Sequence, residues 1–243
     1  MNNIYKIAGK IIEVETIYND VHELCKEYQY SGNPDFSVTV SQYDIDYERM
    51  KSALEDKKEN IPVRSFPDSY LETLAVYRKI SGHMPEYNTV LFHGSVVAVD
   101  GTGYLFTAKS GTGKSTHTRL WREYFGKRAV MVNDDKPLIH VTENGILVYG
   151  TPWDGKHHLS RNISVPLKAI CILTRAEENH IERISRSDAY PMLLQQIYRP
   201  HNPDKMKKTL EILDNISDNV NLYRLGCNMK INAAEVAYNA MKG

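Results

Sequence analysis

Residues 103–116 read Gly-Tyr-Leu-Phe-Thr-Ala-Lys-Ser-Gly-Thr-Gly-Lys-Ser-Thr, and this stretch restricts the fold more than any other. A short β-favouring run over 103–107 is broken by Gly111 and Gly113. Lys114-Ser115-Thr116 then open an expected helix over 116–124. Strand, glycine-rich turn and helix form the context that a phosphate-binding loop requires. Glycine lets backbone N–H groups close around phosphate oxygens without Cβ clashes, and the helix N-terminus adds partial positive charge. In such a loop Ser110, Gly111, Thr112, Gly113, Lys114, Ser115 and Thr116 contact the nucleotide. Lys114 reaches the outer phosphates, and the Ser115 hydroxyl binds Mg²⁺. The pattern departs from G-x-x-x-x-G-K-[ST] at its first position, which is Ala108. Alanine is tolerated there if φ is negative.

The rest of the chain sets the frame. A length of 243 residues suits one large domain or two small ones. Lys+Arg and Asp+Glu both number 30, which gives no bulk surface for nucleic acid or membrane. Three widely spaced cysteines, Cys25, Cys171 and Cys227, give neither a disulfide framework nor a zinc site. Cys171 lies in an apolar run and reads as a buried strand residue. No run approaches the ~18 apolar residues of a membrane helix, and no leader pattern opens the chain, so the expected location is the cytoplasm.

Residues 1–85 read as a small α/β region that holds an acceptor or a partner. It has β-type residues over 4–14 with a bulge or bend at Gly9, helical spacing over 19–30, and a strand over 36–40. A surface helix or loop follows over 46–58, then a helix opened by a Ser69-x-x-Glu72 capping box and stopped by Gly82. Residues 86–243 read as the nucleotide-binding catalytic domain. Eight short β runs are joined in several places by hairpin turns such as Asp100-Gly101 and Asn144-Gly145. Strict βαβ alternation is missing, which argues against an ordinary parallel-sheet NTPase. The expected fold class is mixed α/β (α+β). A mixed sheet with hairpins carries the phosphate loop, behind a small α/β N-terminal region and ahead of a helical tail over 188–198, 204–216 and 233–241. Asn232-x-x-Glu235 is the expected capping box of the last helix.

Three further segments carry chemistry. Asn133-Asp134-Asp135 follows a strand beyond the loop, where Mg²⁺ binding or hydroxyl deprotonation belongs. His93-Gly94 ends the strand before the loop. Residues 150–158, Gly-Thr-Pro-Trp-Asp-Gly-Lys-His-His, reach on to Arg161 as a donor-rich loop suited to anions. His157 and His158 stand without a third metal ligand nearby in sequence.

Together these segments resemble the catalytic domain of HPr kinase/phosphorylase, within the phosphoenolpyruvate-carboxykinase-like group. That family carries a His-Gly before its loop, a loop of form G-x-S-G-x-G-K-S, and an adjacent Asp pair downstream. Their counterparts here are His93-Gly94, residues 108–115 and Asp134-Asp135. The resemblance covers about residues 88–184, and the sequence is closest to short forms. It implies an ATP- and Mg²⁺-dependent kinase acting on a hydroxyl, most readily a Ser of a protein or peptide. Asp134 is then the base, and Asp135 with Ser115 holds the metal. His93 stands near the transferring group, Lys114 neutralises the phosphates, and Arg161 serves as a phosphate clamp. Relatives of this kind often form oligomers, so a homo-oligomer is expected. Two alternatives stand beside this reading: a small-molecule hydroxyl kinase, and a non-catalytic nucleotide-binding sensor or scaffold.

Overall fold

The computed structural model describes residues 1–155 and 157–243. Lys156, within the donor-rich loop of the sequence analysis, lies outside the described residues. The chain divides into two compact units, Met1–His83 and Met84–Gly243.

In the first unit, β1 (Asn2–Ile7) and β2 (Lys10–Glu15) pair antiparallel, and β3 (Phe36–Thr39) adds parallel to β2. Ala8 and Gly9 both take positive φ, so the bulge or bend expected at Gly9 is the bend of a two-residue hairpin. Helix α1 (Asp20–Leu24) is short and passes into a 3₁₀ turn. Residues 46–58 belong to a full helix, α2 (Gln42–Lys58), whose capping box is Ser41 with Asp44. Helix α3 (Asp68–His83) begins one residue before Ser69, so the Ser69–Glu72 box does not form. Glu72 is instead fully buried and accepts from the backbone N–H groups of Ile17 (2.6 Å) and Tyr18 (2.9 Å). Gly82 does not stop α3, which runs on to His83. Arg78 of α3 pairs with Asp44 and Glu48 of α2, so the burial of both carboxylates is compensated.

The second unit is built on one nine-stranded mixed sheet. Its strands are β4 (Thr89–Leu91), β5 (Ser95–Val99), β6 (Thr102–Thr107), β7 (Ala129–Asn133), β8 (Leu138–Thr142), β9 (Gly145–Tyr149), β10 (Ser164–Arg175), β11 (His180–Arg183) and β12 (Asn221–Cys227). The order is β4-β8-β9-β10-β6-β5-β7, with β12 paired to both β10 and β11. Helices α4 (Lys114–Phe125) and α7 (Asn232–Met241) cover one face, and α5 (Arg186–Gln196) and α6 (Pro203–Asn219) the other. Alternate residues of one strand therefore enter two different cores. Ile170 and Ile172 of β10 pack with Leu193 and Leu213, while Ala169, Cys171 and Leu173 pack with Trp121 and Ala237. A strand buried on both faces reads as an unbroken apolar run, as 169–173 does.

The tail is not purely helical. β12 lies between α6 and α7 and runs parallel to β10, with Ala169 opposite Asn221 and Arg175 opposite Cys227. At α7 no capping box forms. Ile231 is the N-cap residue, and the Asn232 Oδ1 atom accepts from Asn179 Nδ2 at 2.9 Å.

Topology decides where chemistry can sit. β6, β10 and β12 are mutually parallel, while β5 is antiparallel to both β6 and β7. The C-terminal ends of β6, β7, β10 and β12 and the N-terminal end of β5 thus share one sheet edge. Such an edge is where open α/β sheets bind ligands.

Candidate functional site

That edge gathers His93-Gly94 ahead of β5, the glycine-rich loop after β6, Asp134-Asp135 after β7, Arg175 at the end of β10 and Asn228-Met229 after β12. All of them belong to the second unit.

The glycine-rich loop is shaped locally. Gly111 (φ 73°) and Gly113 (φ 114°) occupy backbone conformations that side chains resist, and Gly113 is the N-cap of α4. The helix begins at Lys114, two residues earlier than its periodicity suggests, because Gly113 O already accepts from His117 N–H at 2.9 Å. Thr112 folds back on Lys109 O through its N–H (3.2 Å) and its hydroxyl (2.8 Å). Ala108, where the loop pattern has glycine, does not take positive φ, and its methyl is fully buried beside Phe106 and Trp121. The substitution therefore suits the core beneath the loop. Ser110, Gly111 and Ser115 are exposed, and Thr112, Lys114 and Thr116 are half-buried.

The acidic turn is built by Asn133. Its fully buried side chain accepts from the N–H groups of Asp135 (2.9 Å) and Lys136 (2.6 Å) and donates to the Thr151 hydroxyl (3.0 Å). The two carboxylates are thereby separated. Asp134 is 5 % exposed. It accepts from the Ser95 hydroxyl at 2.8 Å, and Ser95 meets Thr118, which bonds to the carbonyls of Lys114 and Ser115. Asp135 is more open and lies 3.2 Å from His93 Nε2. A carboxylate only accepts, so Nε2 carries the proton. The His93 backbone is pinned as donor to Gln196 O and as acceptor from Thr107.

Electrostatics tie this group together. Burial pushes the Lys114 ammonium below its ordinary pKa; Asp135 and Asp134 oppose that and Lys136 adds to it. Burial alone raises the Asp135 pKa. The hydrogen bond from His93 and the charges of Lys136, His93 and Lys114 outweigh it, so the carboxyl sits below its usual range.

Described residues of the segment after β9, Gly155 and Ser160 among them, pack against the acidic turn. Asp154 joins His158 Nδ1 (2.9 Å) to Ser160 N–H (3.2 Å), and the Ser160 hydroxyl accepts from Asp134 N–H at 3.4 Å. Arg161 is exposed, and its backbone donates to Val132 O. The arginine that reaches the glycine-rich loop is Arg175, donating to Gly111 O at 2.6 Å. Sequence reasoning missed Arg175, Ser95 and Thr118. Arg175 ends an apolar strand, but nothing in the sequence says that β10 lies beside β6. Among the described residues no cluster of three His, Cys, Asp or Glu side chains could hold a metal, and no helix is long and apolar enough to cross a membrane.

The fold and site define a mixed α/β protein with a small N-terminal sheet, a curled mixed sheet and a C-terminal helix, its polar cluster gathered at the start of α4. The chain belongs to the family described as ScmC, SynChlorMet cassette protein, which it matches over residues 68–236. A solved structure of the HPr(Ser) kinase/phosphatase from Coxiella burnetii is similar at 13 % identity and a TM-score of 0.35, covering 63 % of this chain and 99 % of that one. No curated protein matches the sequence.

Proposed function

We propose that this chain is an ATP- and Mg²⁺-dependent kinase that transfers a phosphoryl group to a hydroxyl, with a Ser of a protein or peptide as acceptor. The observation that carries the reading is the hydrogen-bonded Asp135–His93 pair at the sheet edge where the glycine-rich loop and the start of α4 lie, with Lys114 of α4 within electrostatic range of Asp135. On this reading residues 108–115 are a phosphate-binding loop. The positive φ of Gly111 and Gly113, the helix start and the half-buried Lys114 support it.

The donor set suits Mg²⁺, a hard cation that takes oxygen ligands and usually keeps waters. Ser115 offers an exposed hydroxyl. Asp134 is linked through Ser95 and Thr118 to the carbonyls of the same helical turn. Bound there, Mg²⁺ would neutralise charge on the phosphates.

The geometry favours exchanging the two carboxylate roles of the sequence analysis. Asp134 is nearly buried and already engaged by Ser95. Asp135 is accessible, and His93 orients it. Asp135 then takes the proton of the acceptor hydroxyl, while its lowered pKa keeps it ionised through neutral pH. Lys114 and the loop amides draw charge from the moving group and hold it in line.

The test is transfer of labelled phosphate from ATP to a Ser-containing peptide library and to small hydroxyl compounds, with calorimetric binding in parallel. Asp135→Asn should lower transfer by about 10²–10⁴-fold while retaining Mg·ATP binding. Lys114→Ala should lose both. A wild type that binds no Mg·ATP, or an Asp135→Asn variant that transfers at the wild-type rate, would sink the proposal. Binding without transfer to any acceptor would favour a nucleotide-sensing scaffold.

A further inference from the structure

Helix α2 carries its charged and apolar side chains on unexpected sides. The side laid against its own unit holds Asp44, Glu48 and Asp56 beside Ile45, all of them buried. Arg78 and Lys79 of α3 compensate the first two carboxylates. Arg64 holds the third through its backbone N–H (2.8 Å), Nε (3.0 Å) and Nη2 (2.6 Å). The opposite side is apolar: Tyr43 is 78 % exposed, Met50 55 % and Leu54 49 %. A helix that packs only within its own unit turns such residues inward.

These side chains form a row. Tyr43, Tyr47, Met50 and Leu54 follow one another at the alternating spacing of a and d positions in a helix seam. At 1.5 Å per residue the row runs for about 16 Å, or about three turns. Tyr47 is half-buried, and the Arg78 guanidinium stacks over its ring at 4.7 Å from the centroid, which fixes the ring in the row. A contiguous exposed row of this kind marks a contact surface, where singly scattered apolar residues do not.

The charges beside the row indicate what it contacts. Lys51 and Lys58 are exposed at e positions, and the exposed Lys57 stands at the end of the seam. The remaining e position, Asp44, is buried and paired. Asp46 flanks the row as well, but Arg49 holds it at 2.6 Å. Glu55 and the C-cap Glu59 lie about 140° and about 180° round the helix from Met50. The flank open to a partner is therefore basic. Flanking charges of this kind set which helix a seam accepts. A second copy of the chain fits poorly. Laid antiparallel, it brings e positions together and sets lysine against lysine. Laid parallel, it offers Ala53 and the already engaged Asp46.

We propose that this face of α2 docks an acidic amphipathic helix of a partner protein, with apolar residues at its own a and d positions and carboxylates beside them. Docking there is independent of what the glycine-rich loop binds.

The test is calorimetric binding of two synthetic heptad peptides to the full chain. Both carry Leu at a and d; one has Glu at e and g, the other Lys. The Glu peptide should bind at least about tenfold tighter than the Lys peptide. The double variant Met50→Ser, Leu54→Ser should lose at least about tenfold of that affinity. Both positions face solvent, so its Tm should match the wild type. Lys51→Glu with Lys58→Glu should invert the preference between the peptides. Equal affinity for the two peptides, binding of neither, or an unchanged affinity in the double variant would overturn the proposal. Sedimentation and flotation with phosphatidylserine vesicles supply the rival occupants. A dimer, or vesicle binding, that the double variant abolishes would assign the face to a second copy or to a membrane instead.

Discussion

Gly155 stands directly against Asp134: a Cβ built on Gly155 would lie 2.8 Å from the Asp134 Oδ2 atom. Ser95 holds the other oxygen of the same carboxylate. Asp134 is thus fixed between β5 and the 150–161 loop, and the loop tolerates no side chain where it crosses. Gly155→Ala should push the carboxylate or the loop aside. Small misplacements at a reacting centre cost up to about 10²-fold in rate. The expected result is a variant that still folds, melts somewhat below the wild type, and shows strongly reduced transfer. Wild-type turnover in Gly155→Ala would show that the loop does not position Asp134.

His93 should act on Asp135 through the hydrogen bond between them. That bond is the first of the influences that lower the Asp135 pKa against its burial. Removing it in His93→Ala moves the pKa upward, towards the ordinary carboxylate range. A base works only when ionised, so the acid limb of the kcat/KM profile should shift to higher pH. The maximal rate should fall less than in Asp135→Asn, because the base itself remains. A pH–rate profile of the two variants checks this, and an unmoved acid limb in His93→Ala would break the link.

The site's components were legible in the sequence because each is a local signal. The loop needs glycines and a following Lys-Ser, the Asp pair ends a strand, and His93-Gly94 precedes another. Their convergence was expected only from the family resemblance; the local signals do not contain it, since it depends on β5 running antiparallel to β6 and β7. β12 was missed because Arg224 and Gly226 interrupt its apolar character and two helices flank it. Its pairing with β10 is what stabilises it, and pairing is a tertiary fact. That the adjacent Asp134 and Asp135 face different sides was readable from their adjacency, but which of them turns inward was not. The choice is made by the Asn133 side chain, which accepts from the N–H groups of Asp135 and Lys136.

Glu72 shows how a local pattern can be used by the wrong partner. It has the spacing of a capping residue, yet its carboxylate receives two backbone N–H groups 54 and 55 residues away in sequence. Both donors lie at the turn that follows β2. Glu72→Ala would leave them without an acceptor, at about 1–3 kcal/mol for each buried group left unsatisfied. The expected outcome is a clearly lowered Tm for the first unit with nucleotide binding retained. Hydrogen exchange at Ile17 and Tyr18 reads the effect locally, and unchanged protection there would show that other groups carry the turn.

His117 makes an acid-stability prediction that needs no substrate. In the unfolded chain it takes a proton near pH 6.5, and in the folded chain only near pH 3. Between these values the unfolded state binds more protons, so stability falls as pH drops through that window. The limiting slope is about 1.4 kcal/mol per pH unit. Burial against Trp121 and Phe106 is the cause, since the imidazolium would lose its hydration there. Both tryptophans, Trp121 and Trp153, lie in the second unit, so fluorescence-detected urea melts report on it selectively. Wild type should lose stability between pH 6.5 and 5 faster than His117→Phe, which has nothing to protonate at that position. Parallel pH slopes in the two proteins would mean that His117 is not the group that resists the proton.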